Sequence, residues 1–296
     1  MRNITLFIWV LLFSVGVAAQ PMQPFYSAGT FNNGLDDEAS IVTKAITEGG
    51  FEVTGSYHPA GDPSLFVICF TNDELRNLSL EFKDRGALGS VLKAAIVYKD
   101  GKSKVSFLNP EYMFIAYWGE QLNGQEERLV AMSEKVKKIF SSMGNLTPFG
   151  GEVDKDDLPG YHYKILMPYF TDPDELETFD SFEEGLSVIR KNLAAGKGHT
   201  VKVYEQVFEN EKVAVFGVGL LDKEDGEAFF LPVIGEENIA AMPYEIILQG
   251  NEATALAGKY RFALYWPELS MTTFMKIVST PGYVEDVLED LCEDDD

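Results

Sequence analysis

Tyr112-Met113-Phe114-Ile115-Ala116-Tyr117-Trp118 and Tyr260-Arg261-Phe262-Ala263-Leu264-Tyr265-Trp266 are two versions of one heptapeptide, 148 positions apart. The same shift carries Ile41 onto Ile189, Gly50 onto Gly198, Val53 onto Val201 and Val67 onto Val215. Beyond the heptapeptide it carries Val136-Lys137-Lys138-Ile139-Phe140 onto Val284-Glu285-Asp286-Val287-Leu288. A chance likeness of seven residues does not keep its register on both sides for most of a domain, so the chain reads as one unit written twice. Only the middle drifts, by one position: Gly101, in the turn Asp100-Gly101, matches Gly250 best. A hairpin tip tolerates such a change.

Each copy spells the same string of elements. Phe182, Leu186, Ile189 and Leu193 recur at helical spacing behind Ser181, with Glu184 completing a capping box. In the first copy Ile41, Val42, Ala45 and Ile46 do the same, and Gly49-Gly50 stops that helix. Strands follow over 51–57 and 65–70, matched by 201–207 and 213–221, then a short helix near 73–80. Ala94 to Tyr98 and Lys104 to Leu108 flank Lys99-Asp100-Gly101-Lys102, a hairpin signal, with 246–248 and 253–256 as its counterpart. Leu129, Met132, Val136, Ile139 and Met143 mark a closing helix. The expected fold class is α+β: two tandem repeats, each a mainly antiparallel sheet covered by helices in two layers.

Before the first copy, Met1-Arg2-Asn3, an apolar run from Leu6 to Phe13 and the small residues Val17-Ala18-Ala19 compose a signal peptide cleaved before Gln20. The run is shorter than the about 20 residues a membrane span needs, so no stable membrane insertion is expected after cleavage. No Cys follows the cleavage site, which disfavours a lipid anchor. Between the copies, Gly144 to Phe179 is rich in Gly, Pro and acid, as a linker is. Its apolar run Tyr163 to Phe170 is expected to add a strand before the second copy, with Gln23 to Phe31 as counterpart. The chain thus divides into a signal peptide over 1–19, a first α+β repeat over 20–146, and, over 147–296, a linker strand, the second repeat and an acidic tail.

Asp180-Ser181-Phe182-Glu183-Glu184 opening a helix, then Gly, a strand and Pro243-Tyr244-Glu245-Ile246-Ile247, resembles the DUF302 family of small α+β domains. Gly50-Phe51-Glu52-Val53, Ala95 to Gly101 and Asn109-Pro110-Glu111 resemble its strand, hairpin and Asn-Pro segment. The resemblance covers about two-thirds of the mature chain, once per copy. At Lys93-Ala94 the first copy lacks the proline that the second has at Pro243. The resemblance implies a fold and no activity.

Across 296 residues, 24 Lys+Arg stand against 47 Asp+Glu, a net charge of −23 that a nucleic acid would repel. Loss of Arg2 takes the mature chain to −24. Two Cys make no disulfide scaffold: Cys69 sits in an apolar strand pattern and Cys292 in the acidic tail, so both are expected free. His58, His162 and His199 stand apart and compose no H-E-x-x-H, and no G-x-S-x-G occurs. Gly217-Val218-Gly219 reads as strand with glycines where a neighbour packs closely, rather than as a dinucleotide loop. Asp154-Lys155-Asp156-Asp157 and Asp172-Pro173-Asp174-Glu175 lack calcium-loop spacing and read as solvated acids. No catalytic residue, metal site or cofactor is assigned.

The aromatic heptapeptide is the candidate ligand site. If it is extended, Tyr112, Phe114 and Trp118 share one face, as do Tyr260, Phe262 and Trp266 in the second copy. Sheet core is the simpler account of such a pattern. The functional account is an apolar cleft between the two copies, since pockets favour such boundaries. The expected function is therefore an exported, periplasmic or extracellular, non-enzymatic binding or interaction protein whose partner is a small apolar molecule or a protein. The alternative is a hydrolase or isomerase with a carboxylate pair in that cleft.

Overall fold

Turn residues and caps place the elements of the first half. The computed structural model describes residues 20–122, 124–162 and 167–294; the signal peptide read over 1–19 lies outside them, as do 163–166 of the apolar run. Strands β1 (Pro21–Met22) and β2 (Phe25–Phe31) precede helix α1 (Leu35–Glu48), which ends at Gly49 before Gly50 turns left-handed at φ 83°. Strands β3 (Glu52–Tyr57) and β4 (Leu65–Thr71) follow, then α2 (Asp73–Ser79), whose Asn72 cap accepts from the Leu75 amide at 2.8 Å. Strands β5 (Leu92–Lys99) and β6 (Lys102–Leu108) flank Asp100-Gly101, both at positive φ as a primed two-residue turn requires. Helices α3 (Pro110–Trp118) and α4 (Glu126–Ser141) complete the unit.

The stretch read as a linker carries structure of its own. Strand β7 (Thr147–Phe149) adds to the outer edge of β2, and β8 (Val153–Asp154) pairs with β1. The strand preceding the second unit is β9 (Asp174–Thr178), formed by Asp-Glu-Leu-Glu-Thr. Residues 167–170, the described part of the apolar run, are not strand. Helix α5 (Phe182–Ala195), strands β10 (Thr200–Phe208) and β11 (Val213–Leu220), and helix α6 (Glu227–Ile234) come next. The order then runs β12 (Tyr244–Gln249), β13 (Glu252–Ala255), α7 (Gly258–Tyr265), α8 (Met271–Phe274) and α9 (Thr280–Asp290).

One sheet runs β3-β4-β5-β6-β2-β7 and the other β10-β11-β12-β13-β9, with every pairing antiparallel. Apart from β7, the two orders correspond strand for strand, down to the irregularities. β3 slips between Val53 and Gly55 and β10 between Lys202 and Tyr204. β2 slips between Ser27 and Gly29, and β9 between Glu175 and Glu177. Helix α1 crosses β3, β4 and β5, and α5 crosses β10, β12 and β13. The fold is α+β, with antiparallel sheets covered by helices.

Two readings of the sequence need correction. The offset between the halves is larger in the middle than one residue. Ala94 faces Ile68 and Ile246 faces Phe216; the facing residues are 148 apart, whereas Ala94 and Ile246 are 152 apart. The second half inserts residues ahead of its hairpin, and the first half's hairpin reaches further on both arms, so the flanks return to 148. Second, the heptapeptides are not extended but are helices α3 and α7. Asn109 stands before α3, its side chain donating to the Gln23 carbonyl and not to the helix, and Pro110 starts it, where proline's fixed φ and missing amide cost nothing. Every α3 residue from Tyr112 to Trp118 is buried, and a helix apolar all round carries no periodicity to read.

Away from the helices the halves close on each other. A Cβ on Gly55 would lie 1.8 Å from the Val203 carbonyl oxygen, so β3 and β10 touch backbone to backbone. Gly219 receives the ring of Tyr57 and Gly217 that of Tyr204, as expected of glycines where a neighbour packs closely. Strand β11 is buried at every position, so the polar alternation of a one-faced strand is erased. Among the described residues no helix is long and apolar enough to cross a membrane.

Candidate functional site

Reciprocal contacts between positions 148 apart build the seam. The Tyr112 hydroxyl donates to the Leu264 carbonyl at 2.7 Å, and the Tyr260 hydroxyl to the Ala116 carbonyl at 3.4 Å. The Tyr117 and Tyr265 hydroxyls hydrogen-bond each other at 2.6 Å. A contact of i with j answered by j with i is the pattern of a two-fold interface. Tyr112, Phe114, Trp118, Tyr260, Phe262 and Trp266 are all packed in the core. Trp118 stacks between Phe82 and Phe114, with centroids 4.5 and 4.6 Å away, and its Nε1 donates to the Gly86 carbonyl at 2.9 Å. Trp266 meets Phe262 at 5.7 Å, tilted by 48°, and its Nε1 has no hydrogen-bond partner among the described residues.

A charged group that the sequence reading missed lies in the same seam. Lys93 on β5 donates to Glu245 on β12, and both side chains are only 2–3% exposed. They are equivalent positions: Lys93 faces Cys69 and Glu245 faces Gly217, residues 148 apart. Tyr204 donates to Glu245 Oε1 at 3.4 Å, and Arg261 Nε lies 3.9 Å from its Oε2. The Arg261 guanidinium sits 3.8 Å over the Tyr244 ring and donates to the Ala241 and Pro243 carbonyls. Each of the three charges stands alone in an apolar run: Val91-Leu92-Lys93-Ala94-Ala95, Tyr244-Glu245-Ile246-Ile247 and the second heptapeptide. An isolated charge in a buried strand or helix was the available signal, because such a residue needs a partner.

A second carboxylate ties the halves further along. Glu227, at the start of α6, accepts from the Tyr57 hydroxyl at 2.8 Å, the Ala60 amide at 2.8 Å and the Leu220 amide at 3.2 Å. Ala60 adopts φ 60°, a left-handed conformation unusual for a residue with a side chain. Burial pushes the Glu227 carboxyl up to about 7, although these three donors and Arg261 pull the other way. Burial also raises Tyr57, Tyr204 and Tyr117 well above the ordinary phenol value.

The remaining candidates are quieter. Cys69 and Cys292 are free and buried, and burial raises the Cys69 thiol to about 12, an unreactive setting. His58 packs on Phe66 with Nδ1 2.7 Å from the Leu65 carbonyl, and His162 rests on Tyr169. Asp154 accepts from the Asp156 amide and Asp174 from the Gly258 amide. Among the described residues no three His, Cys, Asp or Glu side chains gather to hold a metal ion. An open groove of about 660 Å³ runs along β9, bordered by Asp84, Arg85, Glu175, Glu177, Glu252 and Glu289 among others.

No family model and no curated protein matches the chain. Among solved structures it is similar to an uncharacterized conserved DUF302 protein from Bacillus stearothermophilus, at 11% identity and a TM-score of 0.33. The match spans 97% of that protein and 40% of this chain.

Proposed function

We propose that the chain is an exported, non-enzymatic binding or interaction protein made by duplication of one α+β unit, its halves related by a pseudo-two-fold axis through the seam. The observation that carries this reading is the use made of Lys93, Glu245 and Arg261. All three are buried: Lys93 pairs with Glu245 across the seam, and Arg261 stands behind Glu245 within the second half, so the groups best suited to chemistry are taken up by the joint. Burying three such charges is tolerable only when they are mutually satisfied. Of the six aromatic side chains, Tyr112 and Tyr260 bond across the same joint while Phe114, Trp118, Phe262 and Trp266 pack within their own halves, so an apolar small molecule held among them would have to open the core. Tryptophan emission on titration with an anilinonaphthalene sulfonate probe, compared in Trp118→Phe and Trp266→Phe, reports such an opening.

A second reading, hydrolysis or isomerisation by a carboxylate pair between the halves, draws on Glu227, because a carboxyl near 7 suits a general acid or base. The deciding experiment assays the mature chain against chromogenic esters, glycosides and phosphate esters from pH 5 to 8. The interaction reading expects no turnover above that of Glu227→Gln and Glu245→Gln. Turnover abolished by either substitution overturns it in favour of the enzyme.

A further inference from the structure

The two sheets end differently on the same side. In the first, β7 covers the outer edge of β2, pairing Phe25 with Phe149, Tyr26 with Pro148 and Ser27 with Thr147. β9 is the counterpart of β2, since Ser27 faces Ser106 and Glu175 faces Thr254, each 148 positions on. Yet among the described residues β9 pairs with one strand, β13, and otherwise packs against α9. The chain beyond α9 is tied to α5, where Asn192 donates to the Leu291 and Glu293 carbonyls and Lys191 bridges Asp294. At the end of β9 the Phe179 amide bonds Asn251, on the side of β13, so the preceding Thr178 amide faces outward. It donates to the Glu177 carboxylate at 2.8 Å, a side chain standing where a neighbouring strand's carbonyl would be.

We infer that the β9 edge is a strand-addition site for an extended basic segment of a partner protein, a site already filled from within the chain in the first half. This rests on reading the chain as an interaction protein. Main-chain pairing would supply the affinity and the groove its selectivity. Glu175 and Glu177 on β9, Glu252 on β13 and Glu289 on α9 border the groove, and none forms an ion pair among the described residues. Among the described residues the one cation bordering the groove, Arg85, is bound to Asp84 at 2.8 Å. Such a rim suits lysine or arginine at alternate positions of an added strand. It also repels a second copy of this chain, whose net charge is −23, so the edge selects an unlike partner.

The test uses the mature chain and a blocked octapeptide of four Lys-Val units. The expected result is saturable binding, weakened by salt, with slowed amide exchange confined to Asp174–Thr178 and its surroundings. The double variant Glu175→Lys/Glu177→Lys, both exposed positions, is expected to keep its thermal midpoint and bind roughly ten-fold or more weakly. The same peptide N-methylated at alternate amides keeps its charge but cannot pair as a strand, and it is expected not to protect β9. Equal binding of the methylated peptide, protection elsewhere, or an unaffected double variant overturns the site. Those outcomes leave the interaction reading standing, which only turnover in the substrate assay removes.

Discussion

Among the described residues the first half covers its sheet edge with a further strand and the second does not; at the seam, one half places Lys93 where the other places Glu245. Strand order and even strand irregularities correspond elsewhere, so these differences stand against a matched background. They teach that the halves differ most where each must meet something unlike itself. Two copies of the first half docked by this seam would bury lysine against lysine, and two of the second glutamate against glutamate. Opposite charges at equivalent positions therefore specify pairing of first half with second.

Breaking that asymmetry should give the largest effect. Glu245→Leu leaves Lys93 and Arg261 buried without their carboxylate and is expected to cost about 3–5 kcal/mol in urea unfolding. Lys93→Met/Glu245→Leu is expected to recover most of the loss, because Arg261 keeps its backbone carbonyls and Tyr244. A single-variant cost below about 1 kcal/mol would mean that the pair does not hold the halves together.

The next effect belongs to Glu227, where the second half offers an acceptor to donors from the first. Its folded carboxyl, raised to about 7 against an ordinary 4.5, holds a proton that the unfolded chain releases earlier. Between those values the folded state binds more protons, so stability falls as pH rises, by about 3 kcal/mol across the window. Glu227→Gln should flatten this slope in urea midpoints collected from pH 4.5 to 7.5. A slope that survives the substitution assigns it to another group.

The smallest effect compares helix starts. Ser181 caps α5, accepting from the Glu184 amide at 3.1 Å while Glu184 accepts from Asp180, whereas α1 begins behind Gly34 with no side-chain cap. Ser181→Ala is expected to lower stability by about 1 kcal/mol, and Gly34→Ser to raise it by a few tenths. Gly34 already has the extended backbone a cap requires, at φ −64° and ψ 164°. Calorimetric midpoints that move equally for both variants would contradict the difference.

What the residues disclosed depended on contrast. The Asp100-Gly101 hairpin, the Ser181 box and the paired strands were legible because turn, cap and alternation differ from their surroundings. The heptapeptides were legible as a repeat but not as helices, since seven nearly uniform apolar residues fit any period. β9 escaped notice because its acids are poor strand formers and only Leu176 is buried. The 152-residue offset was hidden because an insertion before β12 and a shorter hairpin after it cancel in the flanks. Lys93, Glu245 and Arg261 gave no motif or spacing to read; each is a lone charge in an apolar run, and most such residues lie on the surface.

The seam also sets a schedule for synthesis. A ribosome completes β7 at Phe149 before it reaches Glu245, and the roughly 100 residues between take about 5–20 s at about 5–20 residues per second. A first half folded within that interval would present Lys93, Gly55 and Tyr57 on a face whose cover has yet to be made. Two ribosomes on one message hold such faces side by side, and each shows the other a lysine where it needs a glutamate. The lysine that later joins the finished halves would thus, earlier, keep unfinished neighbours apart.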